Sequence, residues 1–349
     1  MRIAQVAPLH ESVPPKCYGG TERIVHYLTE ELIKKGHEVT LFASADSRTS
    51  ARLIPCCQES LRLASNCQDR LAHHILMLEK VAQMADQFDL IHFHIDYIHF
   101  PLMRRLKTPH LTTLHGRLDI PDLVPLYREF VDMPLVSISN DQRKPLPFAR
   151  WVGTVYHGLP KDLYRFYARP GNYLAFLGRI SPEKRPDRAI KIAERVGMKL
   201  LMAAKVDETD REYYENVIKP MLKSPWVEFV GEINDREKNE FLGKAYALLF
   251  LIDWPEPFGL VMIESMACGT PVIAWRCGSV PEVIEEGVSG FIVESMEEAA
   301  KAVEKVQDIK RILCRKAFER RFTSERMAED YLRIYGELLV KERPLLKVA

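Results

Sequence analysis

The run Glu256-Pro257-Phe258-Gly259-Leu260-Val261-Met262-Ile263-Glu264-Ser265-Met266-Ala267-Cys268-Gly269-Thr270-Pro271-Val272-Ile273-Ala274 contains a loop, a helix and the strand that follows it. An apolar run over 248–252 precedes it and reads as a strand. Gly259 allows a tight entry into a helix from Leu260, and Gly269 supplies the residue that ends one. The strand over 271–274 follows at once. Two buried strands joined by a helix make a βαβ unit with parallel strands.

Outward from this stretch, the same unit recurs along the 349 residues. Short continuous runs of Val, Ile, Leu and Phe fall at 3–7, 38–43, 90–94, 110–114, 135–138 and 153–156. A second set falls at 173–177, 199–203, 227–230, 247–251, 271–274 and 290–293. Continuous apolar runs of this length mark strands buried on both faces of a parallel sheet. Helix-patterned stretches such as 21–35 and 187–196 lie between them. The expected fold is therefore α/β, with two doubly wound, Rossmann-like domains facing a central cleft. The seam falls where Pro160, Pro170 and Gly171 interrupt the pattern. The expected boundaries are 1–165, 166–323 and a final amphipathic segment, 324–349.

Charge excludes some classes of partner. The chain carries 49 Lys+Arg and 48 Asp+Glu, without the basic excess of a nucleic-acid binder. The clusters Lys34-Lys35 and Arg104-Arg105-Lys107 read as solvated surface, with weak peripheral membrane association as the alternative. No run reaches the ~18 apolar residues of a membrane span. Residues 1–7 read as a first strand and lack the apolar run of a signal peptide, so the expected location is cytoplasmic. The seven cysteines contain no C-x-x-C and read as free thiols.

In doubly wound sheets, ligands sit beyond the carboxyl ends of the strands, so polar groups there are the candidates. Glu264 lies inside an apolar helix, where a carboxylate needs donors or a counter-charge. An isolated Glu would be assigned a core Arg. The eight-residue offset from Glu256 within a loop–helix element favours instead two ligand hydroxyls, one to each oxygen. Glu256, Phe258, Gly259, Leu260 and Val261 stand at the start of that helix, where free N–H groups and the dipole suit phosphate or sugar oxygens. Arg179 follows a strand and Lys184 comes five residues later, so together they can hold a diphosphate.

Tyr18-Gly19-Gly20-Thr21-Glu22 lies between the first strand and the first helix. Paired glycines there admit a ligand to the backbone, while the plainer account is a turn with Thr21 as N-cap. His92, His94 and His115 cluster at strand ends. A metal site there lacks a completing carboxylate or Cys, and His115 reads either as a sugar contact or as a satisfied edge residue.

Taken in order, these motifs resemble the family 4 retaining glycosyltransferases of GT-B fold, and the subgroup of avilamycin-type sugar transferases. The likeness covers nearly the whole chain: Gly19-Gly20, His115-Gly116, the segment from Ser137 to Arg143, the Arg179/Lys184 loop and the Glu256/Glu264 element. It implies transfer of a sugar from a nucleotide-diphosphate donor, uridine diphosphate first and guanosine diphosphate second, to an unidentified acceptor, without metal or other cofactor. It further implies that the N-terminal domain holds the acceptor and that the last helix crosses back to it. Arg179 and Lys184 would contact the diphosphate, Glu264 the ribose, Glu256 and His115 the donor sugar, and Gly20 the distal phosphate. Val230-Gly231-Glu232 would meet the base. Arg185 stands where a Gly often follows the Lys. His157-Gly158-Leu159-Pro160 replaces an Asn-Gly turn, and Met202-Ala203-Ala204-Lys205 lacks a frequent Gly. The alternatives are a sugar-nucleotide epimerase, a phosphorylase and a non-catalytic nucleotide-sugar binder. The missing G-x-G-x-x-G argues against a nicotinamide oxidoreductase.

Overall fold

A computed structural model describes residues 1–16 and 19–342, with side chains to Val340. Tyr18 lies outside the described residues. Contacts divide the chain into two compact units, Met1–Pro160 with the segment from Ser324, and Lys161–Thr323. Both are α/β, and every strand pairing in them is parallel.

The N-terminal sheet contains β1 (Arg2–Val6), β2 (Glu38–Ala43), β3 (Arg52–Pro55), β4 (Leu90–Phe93), β5 (His110–Thr113), β6 (Leu135–Ser137) and β7 (Trp151–Thr154), in the order β3-β2-β1-β4-β5-β6-β7. It has seven strands where the apolar runs predict six. The additional strand, β3, is a half-exposed edge ending in Pro55, so it carries no continuous apolar run. The second sheet contains β8 (Tyr173–Arg179), β9 (Lys199–Lys205), β10 (Val227–Gly231), β11 (Ala247–Phe250), β12 (Val272–Trp275) and β13 (Gly290–Val293), in the order β10-β9-β8-β11-β12-β13. In each sheet the order reverses beside the first strand, at β1/β4 and at β8/β11. Side chains beyond the carboxyl ends of those pairs line a crevice.

Five helices position the candidate residues: α1 (Gly20–Lys34), α2 (Pro186–Val196), α3 (Asp235–Gly243), α4 (Leu260–Cys268) and α5 (Ser324–Glu342). α2 starts on a proline, whose missing N–H costs nothing at a first turn, and ends on Gly197 in the left-handed region. Its buried Ala189, Ile190, Ile192 and Ala193 meet Leu174, Leu200 and Leu249 in the core. α5 buries Met327, Ala328, Tyr331, Ile334, Tyr335 and Leu338, a stripe at helical spacing. Each large side chain there contributes roughly 1.5–3 kcal/mol. α5 packs on α1 and lies over β7, where a Cβ on Gly153 would sit 2.4 Å from Ile334 Cδ1. The absent side chain makes room for the helix.

The surface clusters are paired: Lys34 with Glu31, Lys35 with Glu329, and Arg104 with Glu129 and Asp132. No described helix is long and apolar enough to cross a membrane. The six described cysteines are free.

Candidate active site

In the second unit, β8 and β11 are hydrogen-bonded neighbours at the reversal, and both candidate loops leave from their carboxyl ends. The loop after β8 runs from Arg179 to Pro186, and the loop after β11 reaches α4. Asp253 N–H donates to the Glu183 carbonyl (2.8 Å), which ties the two loops together. This brings Lys184 onto Glu256 as an ion pair. The Lys184 ammonium also lies over the rings of Trp254 and Phe250, 5.1 and 5.8 Å from their centroids.

Arg179 has its own acidic surroundings. Its guanidinium pairs with Glu183 at 3.0 Å, Asp210 at 3.3 Å and Asp207 at 3.9 Å. Burial raises the Asp210 pKa, Arg179 opposes that, and the like charges of Glu183 and Asp207 reinforce it. Each cation is matched with carboxylates of the loops, because partly buried charges need counter-charges when no ligand supplies them.

Arg185 adopts φ 50°, in the left-handed region that favours glycine. Its fork holds Asp187 at 2.8 and 2.9 Å and Asp253 at 2.7 Å. A side chain where the family pattern has Gly therefore cross-links the two loops. The crossed hydrogen bonds offset the backbone cost.

Glu264 is buried in α4. Among the described residues no Arg pairs with it. Tyr164 O–H donates at 3.0 Å and Lys238 Nζ, from α3, at 3.3 Å, both to Oε1. This corrects the picture of one ligand hydroxyl per oxygen. A carboxylate oxygen has two acceptor sites, and those of Oε1 are filled, so the remaining capacity is on Oε2. Arg315 donates to the carbonyls of Tyr164, Ala267 and Lys161, fixing the tyrosine that fixes Glu264.

The start of α4 has Gly259 as N-cap at φ 78°, with no side chain capping the helix. A Cβ there would lie 3.0 Å from the Phe250 ring, so glycine is required twice over. Leu260 and Val261 stay half-exposed, while Phe258 is buried and its carbonyl accepts from Ser279 Oγ at 2.8 Å. Ser279 N–H donates to the Glu256 carbonyl, and Gly278 packs so closely that a Cβ would fall 2.4 Å from the Glu256 nitrogen. The 277–279 turn thus braces the Glu256 loop. At β10, Val230 is exposed and Gly231 sits at φ 78° in a register shift, with Glu232 exposed beyond it.

The remaining candidates belong to the N-terminal unit. Gly19 is the N-cap of α1 and Gly20 its first residue, so Thr21 lies inside the helix rather than capping it. A Cβ on Gly19 would come within 2.7 Å of Pro15. His115 follows β5. Its Nε2 faces His94 Nδ1 at 2.9 Å, and its ring stacks on His157. Burial pushes the His115 pKa down to about 3, so the ring is neutral. Every ring nitrogen of His92 and His94 has a protein partner. Among the described residues no group of three or more His, Cys, Asp and Glu could hold a metal ion.

Sequence reasoning missed Tyr164, Lys238 and Arg315 around Glu264, and Gly278 and Ser279 around Glu256. They lie in no motif, and the fold alone brings them in.

Two family descriptions match the chain: Glycosyltransferase Family 4 over 18–152 and Glycosyl transferases group 1 over 168–320. The N-acetyl-alpha-D-glucosaminyl L-malate synthase of Bacillus anthracis is 37% identical, with 93% of this chain and 96% of that protein covered. This chain is a family 4 glycosyltransferase. The D-inositol 3-phosphate glycosyltransferase of Mycolicibacterium smegmatis is 29% identical over 46% of the transferase and 39% of its own length. A probable sucrose-phosphate synthase of Thermosipho melanesiensis matches over 44% of its length. The chain therefore spans less than half the length of these two relatives. Among solved structures, AviGT4, a glycosyltransferase involved in avilamycin A biosynthesis, superposes with TM-score 0.74 at 23% identity over 98% of both chains. The Anabaena protein HepE, solved with UDP and glucose, gives 0.72 at 18% over 97% of the transferase and all of that chain. At such identities these two establish the fold, which is GT-B.

Proposed function

We propose that the transferase moves a sugar from a nucleoside-diphosphate donor to an acceptor hydroxyl with retention of anomeric configuration and without a metal. The observation that carries this reading is the meeting of Arg179, Lys184, Glu256 and the uncapped start of α4 at the β8/β11 reversal. Uridine diphosphate is the first donor nucleotide, in line with the ligand named for HepE. Glu264 Oε2 receives the ribose hydroxyls, and the Val230-Gly231-Glu232 edge faces the base. The N-terminal unit takes the acceptor. The named relatives act with L-malate and D-inositol 3-phosphate, so a small hydroxylated metabolite is the first acceptor class.

As the glycosidic C–O bond breaks, positive charge grows on the sugar and negative charge on the departing phosphate. A bound diphosphate gives Lys184 a second anion and releases Glu256 to the donor hydroxyls. Arg179 exchanges Glu183 for phosphate oxygen. These preplaced charges stabilise the leaving group as it forms. The acceptor oxygen attacks the anomeric carbon from the face the diphosphate leaves, and its proton passes to the departing phosphate oxygen. The products are the glycoside and the nucleoside diphosphate.

The test is Arg179→Ala assayed for transfer or hydrolysis across a panel of sugar nucleotides. The account expects most activity lost with the fold intact and EDTA without effect on the parent. Unchanged turnover, or an inverted anomer by NMR, would contradict it.

A further inference from the structure

Beyond the groups used above, the N-terminal unit buries an unbroken chain of polar side chains. His115 Nε2 meets His94 Nδ1 at 2.9 Å, and His94 Nε2 meets Gln5 Oε1 at 2.8 Å. Gln5 Nε2 donates to Tyr335 Oη at 3.3 Å, and Tyr335 Oη meets His92 Nδ1 at 2.7 Å. His92 Nε2 then meets Thr113 Oγ1 at 2.7 Å, which meets Tyr331 Oη at 2.9 Å. Gln5, His92, Thr113, Tyr331 and Tyr335 have no exposed surface, and His94 almost none. At the far end, His115 Nδ1 is buried and has no partner.

With Gln5 Oε1 on His94 and Gln5 Nε2 on Tyr335, the direction of each bond from His115 to Thr113 follows from the amide, whose two ends are chemically different. Gln5 Oε1 can only accept, so His94 Nε2 carries the proton. A neutral His94 then has a lone pair on Nδ1, and His115 Nε2–H must donate to it. A neutral His115 has one N–H, already used, so its Nδ1 is a bare lone pair. On the other side, Gln5 Nε2–H donates to Tyr335, Tyr335 O–H donates to His92 Nδ1, and His92 Nε2–H donates to Thr113. In this amide orientation every bond from His115 to Thr113 has one donor and one acceptor, and one acceptor is left over, at His115 Nδ1. A buried acceptor left unpaired is costly, and a ligand that supplies a donor removes the cost.

We propose that Gln5 and His94 are positioning residues that lock His115 in its Nε2–H tautomer, so that Nδ1 accepts a hydrogen bond from a hydroxyl of the bound sugar. This rests on the reading of the chain as a nucleotide-sugar transferase. The lock selects for a hydroxyl at that point on the sugar. A methyl ether, a fluorine or a carbonyl oxygen brings no proton and leaves Nδ1 unpaired. Tyr335 of α5 belongs to the same device, since it accepts the amide proton that keeps Gln5 from turning over.

The test is two-bond 1H–15N NMR of the whole chain with 15N-labelled histidine, the His115 signals being assigned by their loss in His115→Gln. The unliganded parent should show His115 with Nε2 protonated and Nδ1 bare. Gln5→Leu removes the acceptor for His94 and should mix the two His115 tautomers, with turnover down about tenfold, the worth of one mispaired hydrogen bond. Tyr335→Phe removes the acceptor that keeps Gln5 from turning over and should mix the tautomers as well, whereas Tyr331→Phe, beyond Thr113, should keep the tautomer, which separates the lock from general loosening of the core. Whichever of UDP-glucose and UDP-N-acetylglucosamine raises the Tm should also move the His115 Nδ1 resonance, while UDP alone should not. A parent with Nδ1–H, a Gln5→Leu variant unchanged in tautomer, or sugar-nucleotide binding without a shift at Nδ1 would overturn the proposal. If neither sugar nucleotide binds, the donor reading fails, while the spectra of parent and Gln5→Leu still decide the lock.

Discussion

The two units solve the same problem, polar groups removed from water, in opposite ways. At the β8/β11 reversal the groups are charged: Lys184 with Glu256, Arg179 with Glu183, Asp207 and Asp210, and Lys238 with Glu264. At the carboxyl ends of β4 and β5 in the N-terminal unit they are neutral. His92, His94, His99 and His157 are held well below the ordinary imidazole range by burial, and they hydrogen-bond or stack. Ion pairs can exchange partners when a ligand brings its own charge. A neutral hydrogen-bonded chain cannot; it fixes direction instead. Under the proposed function, charge neutralisation falls to the β8/β11 loops and orientation to the histidines after β4 and β5.

The comparison breaks first at Lys184. Lys184→Ala strands Glu256 and removes a cation from the leaving group, so transfer should fall about 10²–10³-fold, while the melting curve stays cooperative. A variant that retains full rate would mean that the ion pair is structural. Next comes Glu264→Gln, which keeps a polar partner for Tyr164 and removes the charge. Nucleotide affinity by calorimetry should drop by roughly 1.5–3 kcal/mol, the range for hydrogen bonds to a charged group. Gly278→Ala introduces a Cβ against the Glu256 backbone at a residue with φ 57°. It should cost about 1–3 kcal/mol of stability by overpacking, and it should lower turnover of the correctly folded fraction through displacement of Glu256.

The neutral histidines are tested by acid sensitivity. An imidazole that titrates near 6.5 when unfolded, but only at about 3 when folded, binds its proton in the unfolded state first. Stability is therefore full above about 6.5 and is lost as pH falls from there toward about 3, by ~1.4 kcal/mol per pH unit for one such group. Denaturant midpoints measured against pH should show this slope, and His115→Gln should make it shallower. A parent whose stability is flat between pH 6.5 and 4 would contradict neutral burial.

Much of this was legible in the residues. Gly259 and Gly269 mark the ends of α4, and both adopt positive φ. The apolar runs locate the strands because buried parallel strands have no polar face to interrupt them. The edge strand β3 escaped for the converse reason. At Glu264 the carboxylate was visible, but its partners were not. Tyr164 and Lys238 lie 100 and 26 residues away and belong to no local pattern. His92 and His94 were placed on one face by their two-residue spacing, and their rings are 4.0 Å apart. Tyr335 reaches them from 243 residues away, a pairing that only the packed α5 creates.

The central claim is that the second unit binds a diphosphate through Arg179 and Lys184. Thermal shift with UDP and with UMP tests it most directly, because the two ligands differ by one phosphate and a ligand that binds the native state raises its stability. The account predicts a larger rise in Tm with UDP than with UMP in the parent, and equal rises in Arg179→Ala/Lys184→Ala. Equal rises in the parent, or an undiminished advantage for UDP in the double variant, would contradict it.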